Sequence, residues 1–504
     1  MFAQSAPAAT VPEATRSQAY FEFLLARRLE AQGDSAGALE ALKRAQALDP
    51  QSAEILAETA GLYARQNKGV EAVEAAERAL KLDPKNTEAN RLLGLLFAAW
   101  SDGGVAAPPG RTPAQLRAAA IEHLTRILET PAVATDLNLQ LTLARLHLRA
   151  GRADRAVPIL ESIVSQAPFA TEPYTLLAEA RLSLGRTDAA IEALQMAAEL
   201  NPRHYVSLGE LYERQGRWAA AAAAYEQAVK NLRGVGRDVR LRWAAALLNM
   251  PDGQGAEKAR AALKDYLMTS PQDARGLFLL ASANLQTRDF AAAEEIARKL
   301  LALDPTSLPG LRALSAALVG RSQFRAVIDL LMPFSKNAAA RSKGRESEAA
   351  LLLAQLAHAQ SELGEHESAI ASLTAAIASD PLSAPALNSL GYTLAERGER
   401  LPEAVGFIER ALKVEPDNPS YLDSLGWALY KQGKVDEAEP HLRRAAEALP
   451  TQSVIQDHFG DVLARRGRFT EAIRAWERAL SGDGTDIDRN AVEKKIKDAK
   501  GRQQ

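Results

Sequence analysis

Residues 419–452 read PSYLDSLGWALYKQGKVDEAEPHLRRAAEALPTQ, and this stretch decides the fold. Leu422, Leu425 and Leu429 recur three and four residues apart around Gly426, the spacing of one helix face. Gly433 then interrupts the pattern, and Ala438, Leu442 and Ala445 restart it at the same spacing. Pro450 stops it, because proline cannot continue a helix and biases its predecessor out of the helical region. The unit is therefore a helix, a short turn, a second helix and a closing proline.

The unit recurs in both directions. Upstream it appears as Leu387, Leu390, Gly391, Gly398, Ala404, Ala411 and Pro416; downstream as Phe459, Gly460, Gly467, Ala472, Trp476 and Ala479. Pro50 and Pro84 are 34 residues apart, as are Pro168 and Pro202, Pro271 and Pro305, and Pro416 and Pro450. Asp49, Asp83, Asn201, Asp304, Asp380 and Glu415 each precede such a proline. This period and pattern resemble the tetratricopeptide repeat (TPR). The resemblance implies an all-α fold, a TPR superhelical solenoid of antiparallel helix pairs.

Closing positions divide the chain into thirteen units: 19–52, 53–86, 87–136, 137–170, 171–201, 202–236, 237–273, 274–307, 308–346, 350–383, 384–418, 419–452 and 453–484. Gly within a helix costs ~1 kcal/mol relative to Ala, so Gly94, Gly209, Gly391, Gly426 and Gly460 must be offset by packing. Ala38, Ala72, Ala156, Ala190, Ala221, Ala293, Ala369, Ala438 and Ala472 are expected to face them across the helix crossing. Pro158, Pro402 and Pro440 are placed in the first turn of second helices, where no donor is lost.

The breaks set the domain organisation. Residues 1–18 are expected to be unstructured, 19–334 to form an N-terminal array, and 335–346 (SKNAAARSKGRE) a hinge. Residues 347–484 form a C-terminal array, and 485–504 a polar capping helix and tail that shields the last core face from water. SDGGVAAPPGRTP (101–113) is a loop inserted within one repeat; RGVGR (233–237) and PDGQG (251–255) are shorter breaks.

Composition narrows the function. Sixty-one basic residues face 63 acidic ones, leaving no basic excess for general nucleic-acid binding. The absence of Cys excludes disulfides, Cys-ligated zinc and a lipid-bearing Cys in this chain. No apolar run approaches the ~18 residues of a membrane-spanning helix. His123, His147, His204, His358, His366, His441 and His458 are scattered, without a ligand spacing. No nucleophile elbow, Walker loop or dinucleotide fingerprint occurs. Asp483, Asp486 and Asp488 lack calcium-loop order and read as caps of the closing helix. With repeats from 19 to 484, no segment is left for a catalytic domain, so the reading is a non-enzyme without metal or cofactor.

In the TPR family the first helices of each pair line a concave groove. Carried onto the last repeats, this places Asn388, Tyr392, Asp423, Trp427, Asp457 and Asp461 in it, with Tyr430, Lys431 and Arg465 one turn further. Large amphipathic rings off the core positions suit an interface. Asp423, Asp457 and Asp461 make the groove locally acidic, favouring a basic or neutral extended segment. Lys and Asn would stand there in the family's carboxylate clamp.

Residues 387–479 resemble the C-terminal repeats of exported bacterial TPR proteins, above all in LDSLGWALYKQG and in Asp457, His458, Gly460 and Asp461. That group includes the outer-membrane TPR lipoprotein adaptor of a carboxyl-terminal processing protease. The resemblance implies a periplasmic or outer-membrane-associated scaffold or adaptor, with a processing protease and its substrates, or an assembly machine, as partners. This chain departs from the lipoprotein adaptors in having no Cys to carry a lipid. MFAQSAPAATVPEA resembles the tail of a secretory signal, with cleavage near Ala3. A cytoplasmic assembly factor or chaperone cofactor, the TPR part of a larger enzyme system, and a self-assembling array are the competing readings.

Overall fold

The computed structural model describes residues 12–103, 110–338, 343–484 and 487–502. Among these residues it contains twenty-seven α-helices. The chain divides into two compact units, residues 1–235 and 236–504, meeting in the RGVGR break.

The first unit begins with α1 (Glu13–Ala31) paired with α2 (Ser35–Leu48) and α3 (Ala53–Arg65) with α4 (Gly69–Leu82). Next come α5 (Thr87–Ser101) with α6 (Pro113–Leu128), and α7 (Leu137–Arg149) with α8 (Ala153–Gln166). The pairs α9 (Thr171–Ser183) with α10 (Thr187–Leu200), and α11 (His204–Arg214) with α12 (Trp218–Asn231), complete it. Helix α1 starts inside the stretch expected to be unstructured, while residues 1–11 lie outside the described residues. The 101–113 insertion does separate α5 from α6; its residues 104–109 also lie outside the described residues.

The second unit contains α13 (Arg237–Leu248) with α14 (Ala256–Thr269), α15 (Ala274–Gln286) with α16 (Phe290–Leu303), and α17 (Leu308–Gly320) with α18 (Phe324–Ser335). Four further pairs follow: α19 (Glu346–Glu362) with α20 (His366–Ser379), and α21 (Ala384–Arg397) with α22 (Leu401–Val414). The others are α23 (Pro419–Lys431) with α24 (Val435–Ala448), and α25 (Ser453–Arg465) with α26 (Phe469–Ser481). A single helix, α27 (Arg489–Gly501), closes the array. Within each unit, pairs stack on their sequence neighbours, and the core grows along the stack.

Local chemistry explains the punctuation. Asp49, Asp83, Asn201, Asp304 and Asp380 end their helices, and each side-chain oxygen accepts the backbone N–H two residues on, beyond the proline. Such a turn needs a short side chain with an acceptor oxygen, which is why the stop reads Asp-Pro or Asn-Pro. Between paired helices one residue must adopt φ > 0, as Gly33, Gly433 and Gly467 do. Asn67, Arg288 and Ser322 take the same turn position with φ of 58°, 59° and 55°.

The helix crossings revise the expected Gly-to-Ala packing. A Cβ at Gly94, Gly209, Gly391, Gly426 or Gly460 would strike Leu124, Tyr225, Ile408, Leu442 or Trp476, respectively, all closer than 3.0 Å. Each of these large residues lies four positions after an alanine on the second helix: Ala120, Ala221, Ala404, Ala438 and Ala472. The alanine lets the backbones approach, and its neighbour one turn on fills the notch left by glycine.

Two prolines are also placed differently from the reading above. Pro158 and Pro440 lie inside α8 and α24, past the first turn, because those helices begin at Ala153 and Val435. Both are exposed, so water can satisfy the carbonyls they leave without a donor. Pro402 does occupy the first turn of α22.

Residues 339–342 of the expected hinge lie outside the described residues. On its two flanks, Leu331, Phe334 and Ala338 share one buried cluster with Ala349, Leu353 and Leu356. At the chain's other end, Asp488 caps α27 through the Asn490 and Ala491 amides, as read. Asp483 instead accepts from Ser453 N at the start of α25, and Asp486 lies outside the described residues.

Candidate functional site

The first helices α19, α21, α23 and α25 bring their side chains to one cleft of about 520 Å³. Asn388, Ser389, Tyr392 and Thr393 of α21 form its middle, between His358 and Glu362 of α19 and Ser420, Asp423 and Ser424 of α23. Asn388 and Tyr392, both half-buried, sit on the cleft side of α21 because Leu387, Leu390 and Leu394 take its core face. The Asn388 Oδ1 atom is buried and accepts no hydrogen bond from the described residues. A buried, unsatisfied acceptor costs ~1–3 kcal/mol, a cost relieved if the Asn388 amide turns toward the cleft it lines and meets a donor there. The cleft's cations are already engaged: Arg397 pairs with Glu367 and Glu399.

The other sequence-selected residues separate into a buried wall and a second cleft. Trp427 is only 8% exposed. Its ring stacks on Tyr430 at 5.1 Å and on His458 at 3.9 Å, and its indole N–H donates to Glu396. Lys431 places its ammonium 4.8 Å from the same ring. His458 Nδ1 donates to both Asp423 oxygens, at 3.0 and 3.1 Å. Tyr430, Asp461 and Arg465 line a separate cleft of about 580 Å³ with Phe469, Lys495 and Arg502.

Here the expected acidic groove is corrected. Lys495, from the closing helix, reaches Asp457 at 2.8 and 3.0 Å and Asp461 at 2.8 Å. Asp461 also accepts from the Trp476 indole N–H at 3.1 Å. All three aspartates thus have a partner on a later helix, the Lys495 ammonium for Asp457 and Asp461 and the His458 imidazole for Asp423. Burial works against the Lys495 ammonium, but Asp461 and Asp457 outweigh it and raise its pKa above the ordinary lysine value. Burial, helped by neighbouring Asp457, raises the Asp461 carboxyl despite that lysine. Burial likewise opposes a charge on His458, yet Asp423, Asp457 and Glu396 more than compensate and raise it above the usual imidazole value.

Glu396 and Lys495 are participants the sequence reading missed, and His458, quoted there for the family resemblance, was given no contact. His458 falls three after Ile455 and four before Val462, a core register where a polar ring needs a partner. That register was the available signal. Nothing local marks Lys495, one of several lysines on a polar helix. Among the described residues no three His, Asp or Glu side chains converge on a metal-sized site. Among the same residues, no helix is long and apolar enough to cross a membrane.

Residues 23–87, 141–205, 175–238, 253–307, 354–419 and 399–453 match the tetratricopeptide repeat family model. The chain belongs to the TPR family. Over 85 residues this TPR chain is 48% identical to TPR repeat-containing protein PA4667 of Pseudomonas aeruginosa. That match covers 17% of this chain and only 14% of the relative. Among solved structures, Naa15/Naa10 bound to HypK-THB matches at 18% identity and TM-score 0.42, covering 91% of this chain and 68% of that one. The Cut9–Hcn1 hetero-tetramer of the APC/C matches at 13% identity and TM-score 0.44, covering 96% and 97%. The MamA protein matches at 21% identity and TM-score 0.30, covering 37% and 93%.

Proposed function

We propose that this TPR protein is a non-enzymatic scaffold of the bacterial cell envelope that grips an extended polypeptide segment in the α19–α25 cleft. The unsatisfied Asn388 acceptor in that cleft carries the reading. An extended segment offers backbone N–H groups at regular spacing, and Ser389, Thr393, Ser420 and Ser424 offer further hydroxyl partners. With its arginine engaged and Glu362 and Glu396 on its walls, the cleft suits a neutral or basic segment rather than an acidic tail. The envelope location, and presentation of clients to a processing protease or assembly machine, rest on the resemblance of residues 387–479 to exported bacterial TPR proteins.

The test is photo-crosslinking in the native cell from a benzophenone residue at Ser389, with mass spectrometry of the adducts. Envelope proteins should be recovered, and Asn388→Ala should reduce their yield about five-fold or more, as losing one buried hydrogen bond implies. Recovery of cytosolic chaperones would overturn the location. Equal yields with and without the Asn388 amide would overturn the cleft.

A further inference from the structure

The ring stack described above includes Tyr430 of the second cleft, and packed in it is the buried His458–Asp423 pair. The His458 and Asp423 side chains are only 6% and 7% exposed. Replacing such a pair with apolar residues of similar volume is often neutral or stabilising, so the pair gives weak grounds for a purely structural role. Its connections give better grounds for a functional one. Asp423 lines the α19–α25 cleft, as do Tyr392, 6.4 Å from the His458 ring, and Glu396, the acceptor of the Trp427 indole.

We propose that His458 and Asp423 form a proton-controlled latch in the cleft wall, a regulation that rests on this cleft being where the partner sits. Protonated His458 pins the Asp423 carboxylate inward and lies flat against Trp427, a favourable arrangement for a cation on an indole face. When His458 loses its second ring proton, its Nδ1–H can still donate to Asp423, but the buried carboxylate no longer has a cation beside it. An unpaired buried charge is costly, so the carboxylate turns to the water in the cleft it already lines. The cleft then carries one more free negative charge, and Trp427 loses the cation stacked on its face.

The charges around His458 set the sense of the switch. From α21 come Tyr392 and Glu396; from α23, Asp423 and, across the Trp427 ring, Lys431. Its own helix contributes Asp457, held by Lys495 of α27. Glu439 and Arg443 of α24, with Arg466 and Arg468 from the turn between α25 and α26, pair with one another in a cluster of their own. Carboxylates therefore dominate at the ring and favour its charged form. The latched state therefore persists to a higher pH than an ordinary imidazole would allow, and is released as pH rises through the raised midpoint.

The experiment needs no partner, so it can fail or succeed independently of the crosslinking above. The full chain is labelled with 5-fluorotryptophan and followed by ¹⁹F NMR from about pH 5.5 to 9.5, alongside the His458 imidazole carbon signal. Trp427→Phe assigns the indole resonance. Trp427 and His458 should move together, with one midpoint above the ordinary imidazole value. Asp423→Asn should lower that midpoint by about one pH unit or more, because a buried ring without its counter-charge resists protonation. His458→Gln, which keeps a donor for Asp423, should leave the Trp427 resonance flat over the same range. Titration of His458 without any movement of Trp427 would overturn the latch. So would a Trp427 response that survives His458→Gln, or a midpoint indifferent to Asp423→Asn.

Discussion

Adding one methyl group at Gly426 and one at Gly406 should change stability in opposite directions. An ideal Cβ on Gly426 would lie 2.5 Å from Leu442 Cγ, 3.1 Å from the Ala438 carbonyl oxygen and 3.2 Å from Leu442 N. Leu442 is fully buried, and its Cγ is a branch point rather than a free end. Relief must come from moving α24 off α23. Overpacking of this kind costs ~1–3 kcal/mol, while Ala in place of Gly returns ~1 kcal/mol of helix propensity. Gly426→Ala should therefore destabilise its repeat by about 1 kcal/mol, and Gly426→Leu by about 3 kcal/mol or more.

Gly406, in the middle of α22, has no atom within 4 Å of an added Cβ. There the propensity gain stands unopposed, and Gly406→Ala should stabilise by about 0.5–1 kcal/mol. Amide hydrogen exchange of the full chain resolves the two locally. Protection of α23 and α24 should fall roughly five-fold in Gly426→Ala, and protection of α22 should rise about three-fold in Gly406→Ala. Changes of the same sign would refute the notch-filling account of these crossings, since both glycines are helical and only their surroundings differ.

Three more substitutions probe other links. Glu439 is 6% exposed and receives Arg443, Arg466 and Arg468. Burial raises its carboxyl pKa, but the three guanidiniums outweigh burial and hold it below the ordinary value. A lowered carboxyl contributes stability that is present above its unfolded value and lost as pH falls through the folded one. Glu439→Gln should cost about 2–3 kcal/mol in neutral urea titrations and flatten the acid limb, whereas an unchanged acid limb would contradict the assignment. Lys495→Met leaves Asp457 and Asp461 facing each other and should free α27, which buries only Val492, Ile496 and Ala499. Exchange in α27 should then rise at least ten-fold while α19 stays protected. Ser322 holds φ of 55° at a turn where other repeats carry glycine. Ser322→Gly should raise thermal stability, worth about 0.5–1 kcal/mol, and a fall would show that the conformation is not strained.

The repeat was legible because its signals are local. Proline stops, turn glycines and helix-spaced leucines act within a few residues of themselves, so thirteen helix pairs follow from punctuation. Asn388 and Tyr392 were reachable in the same way, since register on a helix decides which face a residue takes. The fates of Asp423, Asp457 and Asp461 were not. Each was expected as an open charge, because its partner comes from a later helix. His458 is one repeat and one residue beyond Asp423, and Lys495 is 38 residues beyond Asp457.

The crossings divide along the same line. A glycine in a helix announces a close approach, because its propensity cost must be recovered somewhere. Which atom fills the gap depends on the angle at which two helices meet, and only packing sets that angle. Sequence alone therefore determined the helix pairs, their order and the side of each helix that faces its neighbours. Tertiary structure decided which charges remain free, because ion pairs depend on distance in space and not on separation along the chain.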